Sequence, residues 1–260
     1  MMFKDYPHKN EVILFNKKNY LQKTLASQIV LQKEYLVMKF LEPTEIAPRA
    51  ISYNGSILIE EYLNDWCPIE HRELTAKIIE KIAETLKKLH SLELSEGIIK
   101  ICKDKYTMDL KYHPFQIFKT IEKVLKSKNV YCNYEKLGEY FITVNERLSR
   151  SNYTLSLIHG DLSPNNIMLK GNEIKIVDWS DCRLDIFTAD ISQLFYLFKF
   201  SEGQERLFKD FYGYGLGDLD NSLLLNHKIL LVLYDLASDF SLPSGREDKE
   251  SRLTSLLRQI

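Results

Sequence analysis

The chain has 260 residues, 45% of them hydrophobic and 27% charged, with a formal net charge of −1. That is ample for a sizeable core in one large domain or two small ones, and so even a balance gives no reason to expect a nucleic-acid or anionic-membrane partner. Its four cysteines, Cys67, Cys102, Cys132 and Cys182, are widely spaced with no CxxC pair, which argues against a zinc site and against a secreted disulfide framework.

At the amino terminus, MMFKDYPHKNEV carries no apolar segment of the kind a signal peptide needs, so a cytoplasmic protein with free thiols is expected. Residues 11–15, EVILF, read as a strand, residues 16–19 as a polar turn, and residues 20–23 as the hairpin partner. Ser27 is placed to cap a helix whose apolar stripe runs through Ile29, Val30, Tyr35, Leu36, Val37 and Phe40 and stops before Pro43. Glu34 lies near the middle of that helix. After Pro48, ISYNGSILIE reads as strand, Asn54-Gly55 turn, strand, and the second strand, residues 57–60, runs into Glu61-Tyr62-Leu63.

From about residue 70 the period changes from two to helical. Ile78, Ile82, Leu86 and Leu89, flanked by Ile79, Ala83 and His90, form an apolar face over residues 73–92, on which His90 reads as a core histidine. Phe115, Phe118, Ile121 and Leu125 predict a second helix; Leu137, Tyr140, Phe141, Val144 and Leu148 predict a third.

Residues 155–185, LSLIHGDLSPNNIMLKGNEIKIVDWSDCRLD, break this pattern. Leu155, Leu157 and Ile158 mark a short strand; beyond a polar loop, Ile167 to Leu169 and Ile174 to Val177 are joined by Gly171-Asn172 as a hairpin. Asp161 lies in the loop, Asn166 at its far end, and Asp178 just after the last strand. Asn166 before one strand and Asp178 after its partner meet at one end of the hairpin. An amide and a carboxylate there suit Mg²⁺, a hard cation that takes oxygen ligands and draws the rest from water and a phosphate. Asp161, five residues before Asn166, is about one loop's width away and placed to accept a proton. Phosphoryl transfer needs this arrangement, because most of its catalysis is positioning and charge neutralisation.

Farther on, residues from Thr188 open a helix containing Asp190, and the string Phe195-Tyr196-Leu197-Phe198 with Phe200 reads as core. Gly213, Gly215 and Gly217 read as a helix-to-helix turn, since no strand precedes them and no lysine follows. Residues 223–239 are helical, followed by a loop, SLPSGRED, and a short terminal helix. The longest apolar run, residues 229–234, is far too short to cross a bilayer, so no membrane partner is expected.

HGDLSPNN together with IVDWSD resembles the catalytic and metal-binding loops of the aminoglycoside phosphotransferase and choline kinase superfamily, small-molecule relatives of the protein kinases. The resemblance implies an α+β, two-lobed protein-kinase-like fold. Residues 1–63 would form a small β-sheet lobe with one helix, ending in the hinge; residues 64–260 would form a larger, mainly helical lobe holding the catalytic and metal-binding loops. It implies Asp161 as catalytic base, Asn166 and Asp178 as magnesium ligands, and His159 as a brace of the loop. Asp190 resembles the aspartate that braces this loop from below, although an acidic residue near a helix start also favours the helix dipole. Lys23 and Glu34, in a stretch that also holds Lys17, Lys18 and Lys33, best match the strand lysine that grips the α- and β-phosphates and the helix glutamate that aims it. The Glu61 carbonyl and the Leu63 amide match the hinge groups that read the base. The first glycine is Gly55, so a first strand and its phosphate-covering loop are expected to be compressed into residues 1–10 or partly missing.

Trp-Ser after Asp178, where a protein kinase has Phe-Gly, and Leu-Ser-Pro after Asp161 point to the small-molecule branch. The expected activity is an ATP- or GTP-dependent, Mg²⁺-requiring transfer of the γ-phosphate to a hydroxyl of a small molecule: an aminoglycoside, a choline-like compound or another amino alcohol. Asp181, Asp185, Asp235 and Asp239 would form an acidic wall favouring a cationic acceptor, the plain alternative for each being a solvated helix end. The competing accounts are a kinase-shaped binding protein with weak or no catalysis, a protein kinase, and a hydrolase using the same metal pair.

Overall fold

A computed structural model gives the structure of residues 8–25, 27–69, 74–103, 113–213, 218–238 and 243–260. Its first element is a hairpin of β1 (His8–Phe15) and β2 (Lys18–Leu25), paired from His8 opposite Leu25 to Phe15 opposite Lys18. The turn is shorter than expected: Asn16 and Lys17 alone make it, at φ of 50° and 63°. That is the mirror-image geometry whose twist matches the flanking strands, and asparagine tolerates it. Residues 8–10 belong to β1, so of the strand and loop expected in residues 1–10 only residues 1–7 remain, and these lie outside the described residues.

Helix α1 (Gln28–Leu41) follows, with the Val30 N–H donating to the Ser27 hydroxyl at 3.5 Å as its amino-terminal cap. A second hairpin, β3 (Ala50–Tyr53) and β4 (Ile57–Glu61), turns at Asn54-Gly55, where Gly55 takes φ of 91°. The four strands form one antiparallel sheet in the order β1-β2-β4-β3, and α1 packs on β2, β3 and β4. Glu61 closes β4, opposite Tyr20, instead of opening the connection after it.

The rest is mainly helical: α2 (Ala76–His90), α3 (Glu96–Cys102), α4 (Pro114–Ser127), α5 (Tyr134–Ser149), α6 (Thr188–Leu197), α7 (Glu202–Tyr212), α8 (Asp218–Ala237) and α9 (Pro243–Leu257). This is the α+β order of a small sheet lobe with one helix and a larger helical body. α2 starts at Ala76, capped by Thr75, later than the predicted 73, and residue 73 lies outside the described residues. α8 starts five residues before the expected 223. α9 takes in most of the predicted SLPSGRED loop, because proline is well tolerated at a first helical position, where its missing N–H has no partner to lose. Gly213 closes α7 at φ of 84°, while Gly215 and Gly217 lie outside the described residues.

Two small pairings interrupt the helices. β5 (Cys67–Pro68) pairs with β7 (Ile167–Lys170), which forms a hairpin with β8 (Glu173–Ile176); β6 (Ser156–Ile158) pairs with β9 (Arg183–Asp185). One apolar cluster joins Leu31, Met38 and Leu58 of the sheet lobe to Ile82, Leu86 and Trp179 of the helical body. A second, around Phe118, Phe141 and Leu233, holds α4, α5 and α8 together. Among the described residues no helix is long and apolar enough to cross a membrane.

Candidate active site

The loop after β6 is held from beneath by α6. Asp190, fully buried in the first turn of α6, accepts from the His159 N–H through Oδ2 and from the Gly160 N–H through Oδ1, both at 2.9 Å. His90 Nε2 donates to Oδ2 at 3.1 Å and its Nδ1 meets the Tyr212 hydroxyl at 2.9 Å, so the histidine is a satisfied core residue. Burial would raise the Asp190 carboxyl, but His90 and the loop amide hold it below its ordinary value. Its hydrogen-bond partners are therefore the loop and His90, although it also lies in the first turn of α6, where the helix dipole favours it.

Gln193, three residues on, adds a second clamp that the sequence analysis missed. Its Oε1 accepts from the Leu162 N–H at 2.8 Å and its Nε2 donates to the Gly160 carbonyl at 3.2 Å. The signal was the Asp190-x-x-Gln193 spacing, which puts two polar side chains on one face of the helix. Gly160 itself sits at φ of 82°, and a Cβ there would come within 2.6 Å of the Asp181 carbonyl oxygen. Only glycine fits this crossing without strain.

His159 braces the loop from inside. Its Nε2 donates to the Val177 carbonyl at 3.0 Å, its Nδ1 accepts from the Asp161 N–H at 3.3 Å, and its ring lies edge-on to Trp179. Asn166 Nδ2 donates to Asp161 twice, to the backbone oxygen at 2.9 Å and to Oδ2 at 2.8 Å. The Asn166 backbone carbonyl accepts from the Val177 N–H at 2.9 Å. With Ile167 opposite Ile176, this pairing sets Asn166 and Asp178 at the same end of the β7–β8 hairpin. Burial raises the Asp161 carboxyl above the ordinary carboxylate range and Asp181 and Asp178 push the same way, against His159 and the Asn166 hydrogen bond.

Asp178 takes a left-handed backbone, φ 63° and ψ 71°, and its Oδ1 accepts from Lys23 Nζ at 2.5 Å. Lys23, 4% exposed on β2, also donates to Glu34 Oε1 at 2.9 Å, and the same oxygen accepts from the Trp179 N–H at 3.1 Å. Burial works against the Lys23 charge, but Glu34 and Asp178 outweigh it and the ammonium stays protonated. Burial would likewise raise Asp178, yet Lys23 holds that carboxyl below its ordinary value. Lys23, Glu34 and Asp178 are thus one ionic cluster, and Asn166 with Asp161 stands beside it.

Glu61 and Leu63 lie where the sheet lobe passes into the body. The Glu61 N–H donates to the Arg49 carbonyl at 2.9 Å, its carboxylate accepts from Lys175 Nζ at 3.0 Å, and the Leu63 carbonyl accepts from the Trp66 N–H at 3.3 Å. Lys175 lies on β8, so this pair ties the end of β4 to the strand that leads into Asp178. The four-aspartate wall is not assembled by the described residues. Asp185 is buried against Arg183 and the Ile186 N–H, Asp235 accepts from Tyr196 and pairs with Lys249, and Asp239 lies outside the described residues. Aspartates after a strand or inside a helix turn inward as readily as outward, and spacing alone did not tell them apart. Asp181 remains beside Asp161.

The donor set fits magnesium. Asp178 supplies a carboxylate, and Asn166, whose amide nitrogen is committed to Asp161, offers its amide oxygen. Among the described residues no group of three or more His, Cys, Asp or Glu could hold a metal. A cation here would therefore depend on solvent and phosphate oxygens for its remaining ligands, as Mg²⁺ commonly does.

The Choline/ethanolamine kinase family model matches residues 9–203. Among solved structures, choline kinase LicA from Streptococcus pneumoniae is 18% identical with a TM-score of 0.68, over 96% of this chain and 90% of that one. An ethanolamine kinase from Plasmodium vivax is 16% identical with a TM-score of 0.66, over 97% and 83%. An ADP-bound aminoglycoside phosphotransferase is 17% identical with a TM-score of 0.64, over 99% and 90%. At these identities the likeness is one of fold, the protein-kinase-like fold. No curated protein gives a significant match in sequence.

Proposed function

The chain belongs to the choline/ethanolamine kinase family, which makes it a small-molecule phosphotransferase with an alcohol acceptor, and from that premise we propose a nucleoside-triphosphate-dependent, Mg²⁺-requiring kinase acting on a small amino alcohol of the choline or ethanolamine kind. The observation that carries this reading is the continuity of the polar cluster, from Glu34 through Lys23 to Asp178, with Asn166 and Asp161 at its side.

Each member has a task in the reading. Asp161 accepts the acceptor hydroxyl's proton; a carboxyl raised above the ordinary range is the better base for it. Asn166 fixes the Asp161 rotamer through Nδ2, and Asp190 with Gln193 fixes the loop that carries Asp161. Lys23, aimed by Glu34, steadies the α- and β-phosphates. Asp178 and Asn166 would hold magnesium, which neutralises charge on the phosphates. The Glu61 carbonyl and Leu63 amide read the base at the passage between lobes, with residues 1–63 as nucleotide lobe and 64–260 as acceptor lobe. A cationic acceptor is favoured because Asp181 adds negative charge beside Asp161.

The test is transfer of labelled γ-phosphate from ATP and from GTP, with Mg²⁺, to choline, ethanolamine and a set of aminoglycosides. Saturable transfer to choline or ethanolamine supports the reading. Transfer confined to aminoglycosides would move the acceptor class, and transfer to none of them, with nucleotide bound, would refute it.

A further inference from the structure

Glu60 is a buried carboxyl that none of these roles uses. It is 4% exposed, and its Oε2 has no hydrogen-bond partner among the described residues. A buried carboxyl oxygen without a partner needs a proton or a ligand to account for it, and Glu34 Oε2 on α1 is left in the same state. Strand register fixes where the side chain lies. Leu58 and Glu60 are the buried, inward members of β4. Lys23 stands opposite Leu58 and Leu21 opposite Glu60. Glu60 therefore shares the face of the sheet that carries Lys23, displaced by two residues toward residues 61–63. A nucleotide with phosphates at Lys23 and its base at residues 61–63 lays one edge of that base against Glu60.

The charged groups around Glu60 are Glu34 from α1, Lys23 from β2 and Asp178 after β8. Burial first, then Glu34, pushes the carboxyl up to about 8, with Lys23 opposing and Asp178 adding to the rise. At neutral pH the side chain thus carries one O–H donor and one carbonyl acceptor. Adenine presents a matching pair on one edge, the N6–H donor beside the N7 acceptor, whereas guanine presents two acceptors, O6 and N7. Resting on the nucleotide-site reading above, we propose that Glu60 selects the base: its carbonyl oxygen accepts from adenine N6–H and its O–H donates to N7, so that the donor is ATP in preference to GTP.

The experiment is calorimetric titration of the full chain with non-hydrolysable ATP and GTP analogues in Mg²⁺, for the wild type, Glu60→Gln and Glu60→Leu. Glutamine offers the same donor and acceptor without ionising, so Glu60→Gln should keep the ATP preference at every pH. Glu60→Leu should lose ~10- to 100-fold in affinity for the ATP analogue, the scale of one bidentate base contact. Its affinity for the GTP analogue should be unchanged, which also reports that the variant is folded. Wild-type affinity for the ATP analogue should fall as pH rises through about 8, and that of Glu60→Gln should not. Equal losses for both analogues in Glu60→Leu, or an intact ATP preference, would overturn the assignment. Failure of the wild type to bind either analogue would overturn the reading beneath it as well.

Discussion

Lys23 Nζ lies 2.5 Å from Asp178 Oδ1 while it also donates to Glu34 at 2.9 Å, so one buried ammonium joins the sheet lobe to the turn after β8. The lysine assigned to phosphates and the aspartate assigned to a cation satisfy each other in this structure. A magnesium–nucleotide complex would supply each with a new partner of the right sign, so the pair can part without leaving a bare charge.

Removing the lysine has no such compensation. Lys23→Met leaves the buried Glu34 carboxylate without its cation, and breaking the buried Lys23–Glu34 pair in this way costs about 3 to 5 kcal/mol, the part-exposed Asp178 adding little. Urea unfolding should show a loss on that scale, and adding Glu34→Gln should restore part of it. A Lys23→Met variant as stable as the wild type would mean that the cluster is not held by this ammonium.

Gln193 should matter to rate more than to nucleotide affinity. Gln193→Leu leaves the buried Leu162 N–H and the Gly160 carbonyl without their partners, at a cost of about 1 to 3 kcal/mol in stability. Because those groups flank Asp161, kcat should fall while affinity for a nucleotide analogue holds. Loss of affinity with kcat intact would assign Gln193 elsewhere.

The difference between Asp190 and Gln193 shows what was legible in the sequence. Asp161, Asn166 and Asp178 sit in short local motifs, where a polar residue at a strand end stands out. Asp190 could be placed because it resembles the family's loop-bracing aspartate, but Gln193 matched no motif and its role exists only once the loop is folded against it. Glu60 was hidden for the same reason, as the first of two adjacent glutamates in β4, with facing groups that come from α1, β2 and the turn after β8. The β5–β7 and β6–β9 pairings escaped because two- and three-residue strands carry no period, and their partners are distant in sequence. The hairpins at Asn16-Lys17 and Asn54-Gly55 and the Ser27 cap were legible because their causes are local.

Glu60 also makes a prediction about stability. Its folded value of about 8 lies above the ordinary 4.5, so between those limits the folded chain holds a proton the unfolded chain has released. Stability from this group therefore falls as pH rises across that window and is flat above it. Thermal melts of wild type and Glu60→Gln across this range should diverge, the variant gaining on the wild type as pH rises. Parallel curves would show that Glu60 is ionised in the folded protein throughout.

The most direct test of the account is Asp161→Asn, assayed for phosphoryl transfer to choline or ethanolamine and for nucleotide-analogue binding in the same preparation. Asparagine can still accept from Asn166 Nδ2, so the loop should keep its shape. The account predicts transfer reduced by ~100- to 10,000-fold, the usual worth of a general base, with nucleotide affinity unchanged. Wild-type turnover in Asp161→Asn would contradict it.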